Sequence, residues 1–242
     1  MHVSVAAEKI FSVFGIPISN TVFTAWVAVF LLVFFSYLAT RRMQKIPDGM
    51  QNFFEWAIES LFGLVESFFG DRKQTFKFFP LVATFFFFIL ASNWMGLLPG
   101  FGSIGFYEHE TFVPYFRSAT ADLNTTLAFA MISVIITQIS GVLALGFFKY
   151  GKKFFNFSSP INFFVGLLEL ISEFAKIISF SFRLFGSVFA GEVLLAVITG
   201  LVPYVIPLPF LGLEIFIGAL QALVFVLLTV VFIKIATTEM AH

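Results

Sequence analysis

A single arginine, Arg183, sits in the middle of the apolar run 161–201, with Glu169, Glu173 and Lys176 before it and Ser187 and Glu192 after it. A guanidinium keeps its proton at any physiological pH. Placing one at membrane depth costs between about 3 and about 15 kcal/mol. At about 100° per residue, Glu169, Glu173, Lys176, Arg183 and Ser187 fall within about 80° of one another on a helix. They form one polar stripe running from the start of the helix to its middle. Glu192 points to the opposite face, about 13 Å further along. In the next apolar segment, Glu214 and Gln221 share a helical face.

A continuous aqueous pore needs polar groups at every depth on one face. This chain has two half-length polar tracks, offset in angle, with Arg183 between them. That pattern predicts two half-channels that do not meet, and an ion carried across the gap on a partner's carboxylate. Arg183 would attract such a carboxylate by about 4 kcal/mol at about 4 Å and an effective dielectric of about 20, and would repel cations leaking directly across. The alternative is structural. Arg183 then pairs with Glu173 or Glu192 inside a bundle, Glu169 and Glu173 favour the helix N-terminus through its dipole, and Lys176 snorkels.

The elements that position these residues follow from composition. The chain has 242 residues, 59% hydrophobic and 12% charged, and a mean hydropathy of +0.98. A soluble domain carries about twice that charge, so the sequence reads as a multi-pass membrane protein forming a single domain over 1–242. Net charge is zero, and no basic cluster interleaved with aromatics suggests nucleic acid. The absence of cysteine excludes thiol metal sites and disulfides. No cofactor or metal is expected. The 39 phenylalanines read as lipid-facing filler.

Residues 1–19 read as an arm at one membrane face. The uncharged segment 20–40 is long enough to span about 30 Å of hydrocarbon, and Arg41, Arg42 and Lys45 mark its cytoplasmic edge. In 50–70, Glu55, Glu59 and Glu66 lie on one face; Phe54, Ile58, Leu61, Val65 and Phe68 lie on the other. This predicts an amphipathic helix on the membrane surface, or else a helix packed on a neighbour. A second span is expected over 76–98, with Trp94 as an interfacial anchor and Pro99-Gly100 ending the helix. A loop with Glu108, His109, Glu110 and Arg117 leads to a third span over 122–148, and Lys149, Lys152 and Lys153 return the chain to the cytoplasm. The run 161–201 is twice the length of an upright span and lacks a polar turn, which predicts a steeply tilted helix. Pro203, Pro207 and Pro209 make the turn to a last helix over 210–238, which carries Lys234 and Glu239 near its end. The fold class is therefore all-α, with five crossings, one surface helix and a tilted C-terminal hairpin. No internal repeat of the transporter kind is visible.

The motifs Arg-Leu-Phe-Gly at 183–186, Phe-Ala-Gly-Glu at 189–192 and Leu-Gln at 220–221 resemble subunit a of the rotary ATP synthase. Asn-Trp-Met-Gly-Leu-Leu-Pro at 93–99 and Ala-Asp-Leu-Asn-Thr at 121–125 support the resemblance, which covers most of the chain. It implies a proton-translocating stator without a catalytic nucleotide site, in a bacterial plasma membrane or an organelle copy of one, with the N-terminus outside and the C-terminus cytoplasmic. The implied partners are the c-subunit ring, peripheral-stalk b subunits and membrane lipid. The ion is the proton, with sodium left open because ion identity is set chiefly on the c subunit.

By the same resemblance Arg183 is the essential stator arginine. Glu192, Glu214 and Gln221 line the outer half-channel region, Asn124 lies near its mouth, and Glu169 faces the cytoplasmic half-channel. Glu173, Lys176 and Ser187 come from the stripe. Many bacterial members carry Asn where Ser187 stands, and members often have His at one of the two positions that are Glu192 and Glu214 here. A secondary transporter binding an anionic substrate through Arg183 is the rival function, and would transport as an isolated chain. A purely structural subunit would tolerate neutral replacement of Arg183.

Overall fold

The computed structural model describes residues 7–13, 16–41, 43–46, 48–98, 104–108, 111–154, 159–202 and 205–238. Arg42, Pro99, Gly100, His109, Glu110, Pro203 and Glu239, named above, lie outside the described residues.

Among the described residues, seven α-helices carry the fold: α1 (Asn20–Thr40), α2 (Gly49–Phe69), α3 (Arg72–Gly96), α4 (Leu123–Leu145), α5 (Phe147–Phe154), α6 (Pro160–Leu201) and α7 (Pro207–Thr237). Local chemistry explains their ends. Ser19, Asp48, Asp71 and Asp122 cap α1 to α4 by accepting from first-turn backbone N–H groups, donors that no intrahelical carbonyl can reach. Gly70 closes α2 with φ 71°, a left-handed conformation that glycine adopts without a Cβ clash. Prolines stand in the first turn of α6 and of α7, where a missing N–H costs nothing.

Among the described residues, α1, α3, α4, α6 and α7 are long and apolar enough to cross a membrane. This is an all-α integral membrane protein. α6 is one unbroken helix of 42 residues, about 63 Å at about 1.5 Å per residue. The hairpin of α6 and α7 packs against α3 and α4, while α1 leans on α3.

One expectation needs correction and another is extended. Phenylalanine is not only filler. Phe85, Phe180 and Phe225 are buried core residues, and the Phe225 ring lies 5.7 Å from that of Phe85 and 5.2 Å from that of Phe180. Apolar side chains gain nothing over lipid tails by hydrophobicity, so close packing of this kind holds membrane helices together. Trp94 is not simply an interfacial anchor. Its indole Nε1 donates to the carbonyl of Ile215 at 3.0 Å, linking α3 to α7. The amphipathic α2 buries Leu61, Val65 and Phe69 against α3 and α7, and leaves Phe53 and Trp56 exposed. Part of its apolar face is thus taken by the bundle.

The sequence reading missed three elements. Two antiparallel hairpins, β1 (Lys9–Val13) with β2 (Ile16–Ser19) and β3 (Gly105–Glu108) with β4 (Thr111–Pro114), lie in the segments read as an arm and a loop. The third is α5, which folds back on the start of α6: a Cβ at Gly166 would strike the carbonyl oxygen of Phe154.

Candidate functional site

At the end of the bundle where α3 stops and α4 starts, a knot of polar side chains joins four elements. Thr21 Oγ1 donates to Asp122 Oδ2 at 3.0 Å, Ser118 Oγ to the Ser92 carbonyl at 3.0 Å, and Asn93 Nδ2 to the Gly218 carbonyl at 2.9 Å. Asn20, Thr21, Thr24, Ser92, Ser118 and Thr120 are fully or almost fully buried. Burying a polar group is costly unless it is paired, so these bonds fix the relative placement of α1, α3, α4 and α7, although Asn20 Oδ1 and Ser92 Oγ have no hydrogen-bond partner among the described residues.

Glu192 and Glu214 lie beside this knot. They line one small cavity of about 20 Å³ with Asn93, Ser118 and Gly218. That is room for about one water molecule. Glu214 is only 7% exposed, and its carboxylate occupies the space above Gly191, where any Cβ would strike it. The two acids flagged on separate helices are therefore brought to one place. Glu192 Oε2 accepts from Arg117 Nε at 3.3 Å. Arg117 went unrecognised in the sequence because a loop arginine carries no periodic signal.

Gln221, two turns beyond Glu214 on the same face, is also 7% exposed, and its Nε2 has no hydrogen-bond partner among the described residues. Asn124 is not in the lining of the cavity. It is exposed on the first turn of α4, where its Nδ2 donates to Asp122 Oδ1 at 3.2 Å.

At the opposite end, α5 and the start of α6 assemble a second charged cluster. Lys153 Nζ lies 2.6 Å from Glu169 Oε1, and Lys176 Nζ lies 2.7 Å from Glu173 Oε1. Glu173 Oε2 is buried without a hydrogen-bond partner among the described residues. Lys176 also sits 4.7 Å from the centroid of the Phe232 ring, so it is held by a ring and a carboxylate rather than merely snorkelling. Tyr150 O–H donates to Gln138 Oε1 at 2.7 Å. Burial, then the carboxylates of Glu173 and Glu169, push the Tyr150 phenol up to about 12.

Arg183 belongs to neither cluster. It lies near the midpoint of α6 and is exposed, as are Ser179 and Ala190 one and two turns away on the same face. Phe180 and Leu184 turn inward instead and are buried. The guanidinium has no hydrogen-bond, ion-pair or ring partner among the described residues. The internal ion pair that was the structural alternative is not formed, since Glu173 is taken by Lys176 and Glu192 by Arg117. Ser187 Oγ donates to the carbonyl of Leu184 in its own helix at 3.1 Å. Among the described residues no three His, Asp or Glu side chains converge as a metal site.

Comparison with known proteins gives this arrangement its context. A family model described as ATP synthase A chain matches residues 22–234. The ATP synthase subunit a of Moorella thermoacetica is 36% identical over 225 residues, covering 93% of this chain and 94% of that protein. Its counterpart from Gloeobacter violaceus is 37% identical over 220 residues, covering 91% and 84%. That from Campylobacter jejuni subsp. doylei is 37% identical over 216 residues, covering 88% of each. A match of this length, spanning both carboxylate clusters and the arginine between them, establishes that the chain belongs to the ATP synthase subunit a family.

Proposed function

We propose that this chain translocates protons as the stator of a rotary ATP synthase, through two offset half-channels that load and unload the carboxylates of a c-subunit ring. The observation that carries the reading is Arg183, an exposed cation on a membrane-spanning helix with no partner among the described residues. Such a charge is costly in lipid, and a carboxylate on a neighbouring protein would relieve that cost. The c-ring supplies one.

Arg41, Lys45, Lys149, Lys152, Lys153 and Lys234 all lie toward the Glu169 end. The positive-inside rule therefore makes that end cytoplasmic and the Glu192 end external, in a bacterial plasma membrane. Protons enter past Asn124, reach Glu214 and Glu192, and protonate a c-subunit carboxylate, which loses its charge and can turn into lipid. Gln221, whose amide N–H₂ has no hydrogen-bond partner among the described residues, offers a donor along the same face. After nearly a full turn the proton leaves toward Glu173 and Glu169, with Lys176 balancing Glu173. Arg183 keeps the carboxylate between the two paths ionised and blocks a direct leak. Each elementary charge moved down 100 mV supplies about 2.3 kcal/mol. The peripheral-stalk b subunits hold the chain against the torque.

Replacing Arg183 by Ala in an intact complex is expected to abolish ATP-driven proton pumping in membrane vesicles. Pumping at the parental rate would refute the assignment.

A further inference from the structure

We propose that Arg117 is the positioning residue for Glu192: it holds that carboxylate at the wall of the cavity shared with Glu214, and proton passage at this end depends on that hold. The inference rests on the reading of Glu192 as a relay.

Arg117 lies in the segment between β4 and the short 3-10 turn Ala119–Ala121, yet its backbone is tightly placed. Its backbone N–H donates to Thr24 Oγ1 of α1 at 3.1 Å. The next residue, Ser118, is bonded to the Ser92 carbonyl of α3 at 3.0 Å and fits against Gly96, where a Cβ would come within 2.8 Å of Ser118 Cβ. The segment is thus anchored on two helices while its guanidinium reaches a third, meeting Glu192 at 3.3 Å with side-chain exposures of 9% and 22%. The contact is a single, long ion pair through Nε rather than a two-pronged bond, so it orients the carboxylate more than it adds stability. Glu8 is a second carboxylate within electrostatic reach of Arg117, so the cation faces an acid on the arm as well as the one on α6.

The pair is not required to join the elements. Hydroxyl and amide hydrogen bonds already connect α1 to Asp122, Ser118 to α3, and α3 to α7, and α6 is tied to α4 by the hydrogen bond between Ser181 Oγ and Thr126 Oγ1 at 3.2 Å. What the pair controls is the direction of one flexible side chain. A relay carboxylate must stay within hydrogen-bond reach of the next proton site, directly or through one water. The cavity lined by Glu192 and Glu214, of about 20 Å³, has room for about one. A Glu192 released from Arg117 is free to populate its other staggered rotamers, and the single-water link is lost for much of the time.

The test is ATP-driven proton pumping by the intact complex in membrane vesicles, with assembly checked by co-purification, for Arg117→Gln, Arg117→Lys, Glu192→Gln and the double variant Arg117→Gln/Glu192→Gln. Arg117→Gln is expected to slow pumping about tenfold, within the range of couplings between contacting residues. Arg117→Lys, which keeps the charge, should recover to within about threefold of the parent. The double variant should be no slower than Glu192→Gln alone, because on this proposal Arg117 affects proton passage through that carboxylate. If Arg117→Gln fails to assemble while the double variant assembles, the pair is supported, since an uncompensated buried charge is then the cause. The proposal is overturned by parental pumping in Arg117→Gln, by an Arg117→Lys variant as slow as Arg117→Gln, by a further loss in the double variant, or by failure of both Gln-bearing Arg117 variants to assemble. Parental pumping in Glu192→Gln would instead remove the relay reading itself, so the two failures are distinguishable.

Discussion

Two arginines of this chain show how burial and partner decide what a charge does. Arg117 is almost buried and paired with Glu192; Arg183 is exposed on a spanning helix and unpaired among the described residues. The first charge is paired within the fold, through Nε to Glu192 while its Nη2 is buried without a hydrogen-bond partner among the described residues, and the second is left for a neighbour. Tyr150 adds a residue-scale test at the other end. Its ring fills the space left by the missing side chain of Gly141, and its phenol is raised from 10.0 to about 12, by burial first and then by Glu173 and Glu169. For an acid whose folded value is raised, the folded state favours the protonated form. The resulting stability is fully present below pH 10 and is lost between pH 10 and about 12. Ultraviolet difference titration should show a tyrosine ionisation near pH 12 that disappears in Tyr150→Phe. A signal near pH 12 that Tyr150→Phe leaves unchanged would contradict the packing described for this ring.

At the scale of the element, α6 owes its role to where it carries no side chain. Gly166 lets α5 dock on its first turns, and Gly191 lets the Glu214 carboxylate lie against the helix backbone. The two contacts differ in what would have to move. At Gly166 the obstacle is a backbone carbonyl, fixed by the fold, whereas at Gly191 it is the far end of a flexible side chain. Gly191→Ala is therefore expected to leave the complex assembled while displacing Glu214 and slowing proton pumping severalfold, within the range of couplings between contacting residues. Gly200→Ala, where an added Cβ meets nothing within 4 Å, should pump at the parental rate. Equal rates for the two variants would show that the position of Glu214 does not matter.

For the whole molecule, the relevant fact is asymmetry. One end is tied by the polar knot of Asn20, Thr21, Asn93, Ser118 and Asp122. The other is bridged by the pair of Lys153 with Glu169, by Lys176 over the Phe232 ring, and by Lys234 Nζ, which donates to the Phe68 carbonyl at 2.9 Å. Between the ends, the face of α6 that carries Arg183 also carries the exposed side chains of Val165, Leu194 and Val197. On the proposed reading neither carboxylate cluster can pass an ion to the other without a carboxylate supplied by a second protein. The purified chain alone in liposomes should then take up neither protons nor anionic solutes under an imposed gradient. Uptake by the isolated chain would favour the transporter alternative.

Hydropathy and length alone fixed the membrane class and the existence of the long α6, because runs of uncharged residues longer than a bilayer have few other stable placements. Helical periodicity was enough to put Glu169, Glu173, Lys176 and Arg183 on one stripe and Glu192 opposite, since those relations hold within a single rigid element. It could not find Arg117, Tyr150 or Lys153, nor the knot around Asn93 and Ser118, because each is defined by contacts between segments distant in the chain. Nor could it decide that Glu192 and Glu214 share one cavity while Asn124 stands outside it. Spacing along one helix is a property of the chain, but the meeting of side chains from different helices depends on how glycines, hydroxyls and rings let those helices approach. Only the packed bundle settles that.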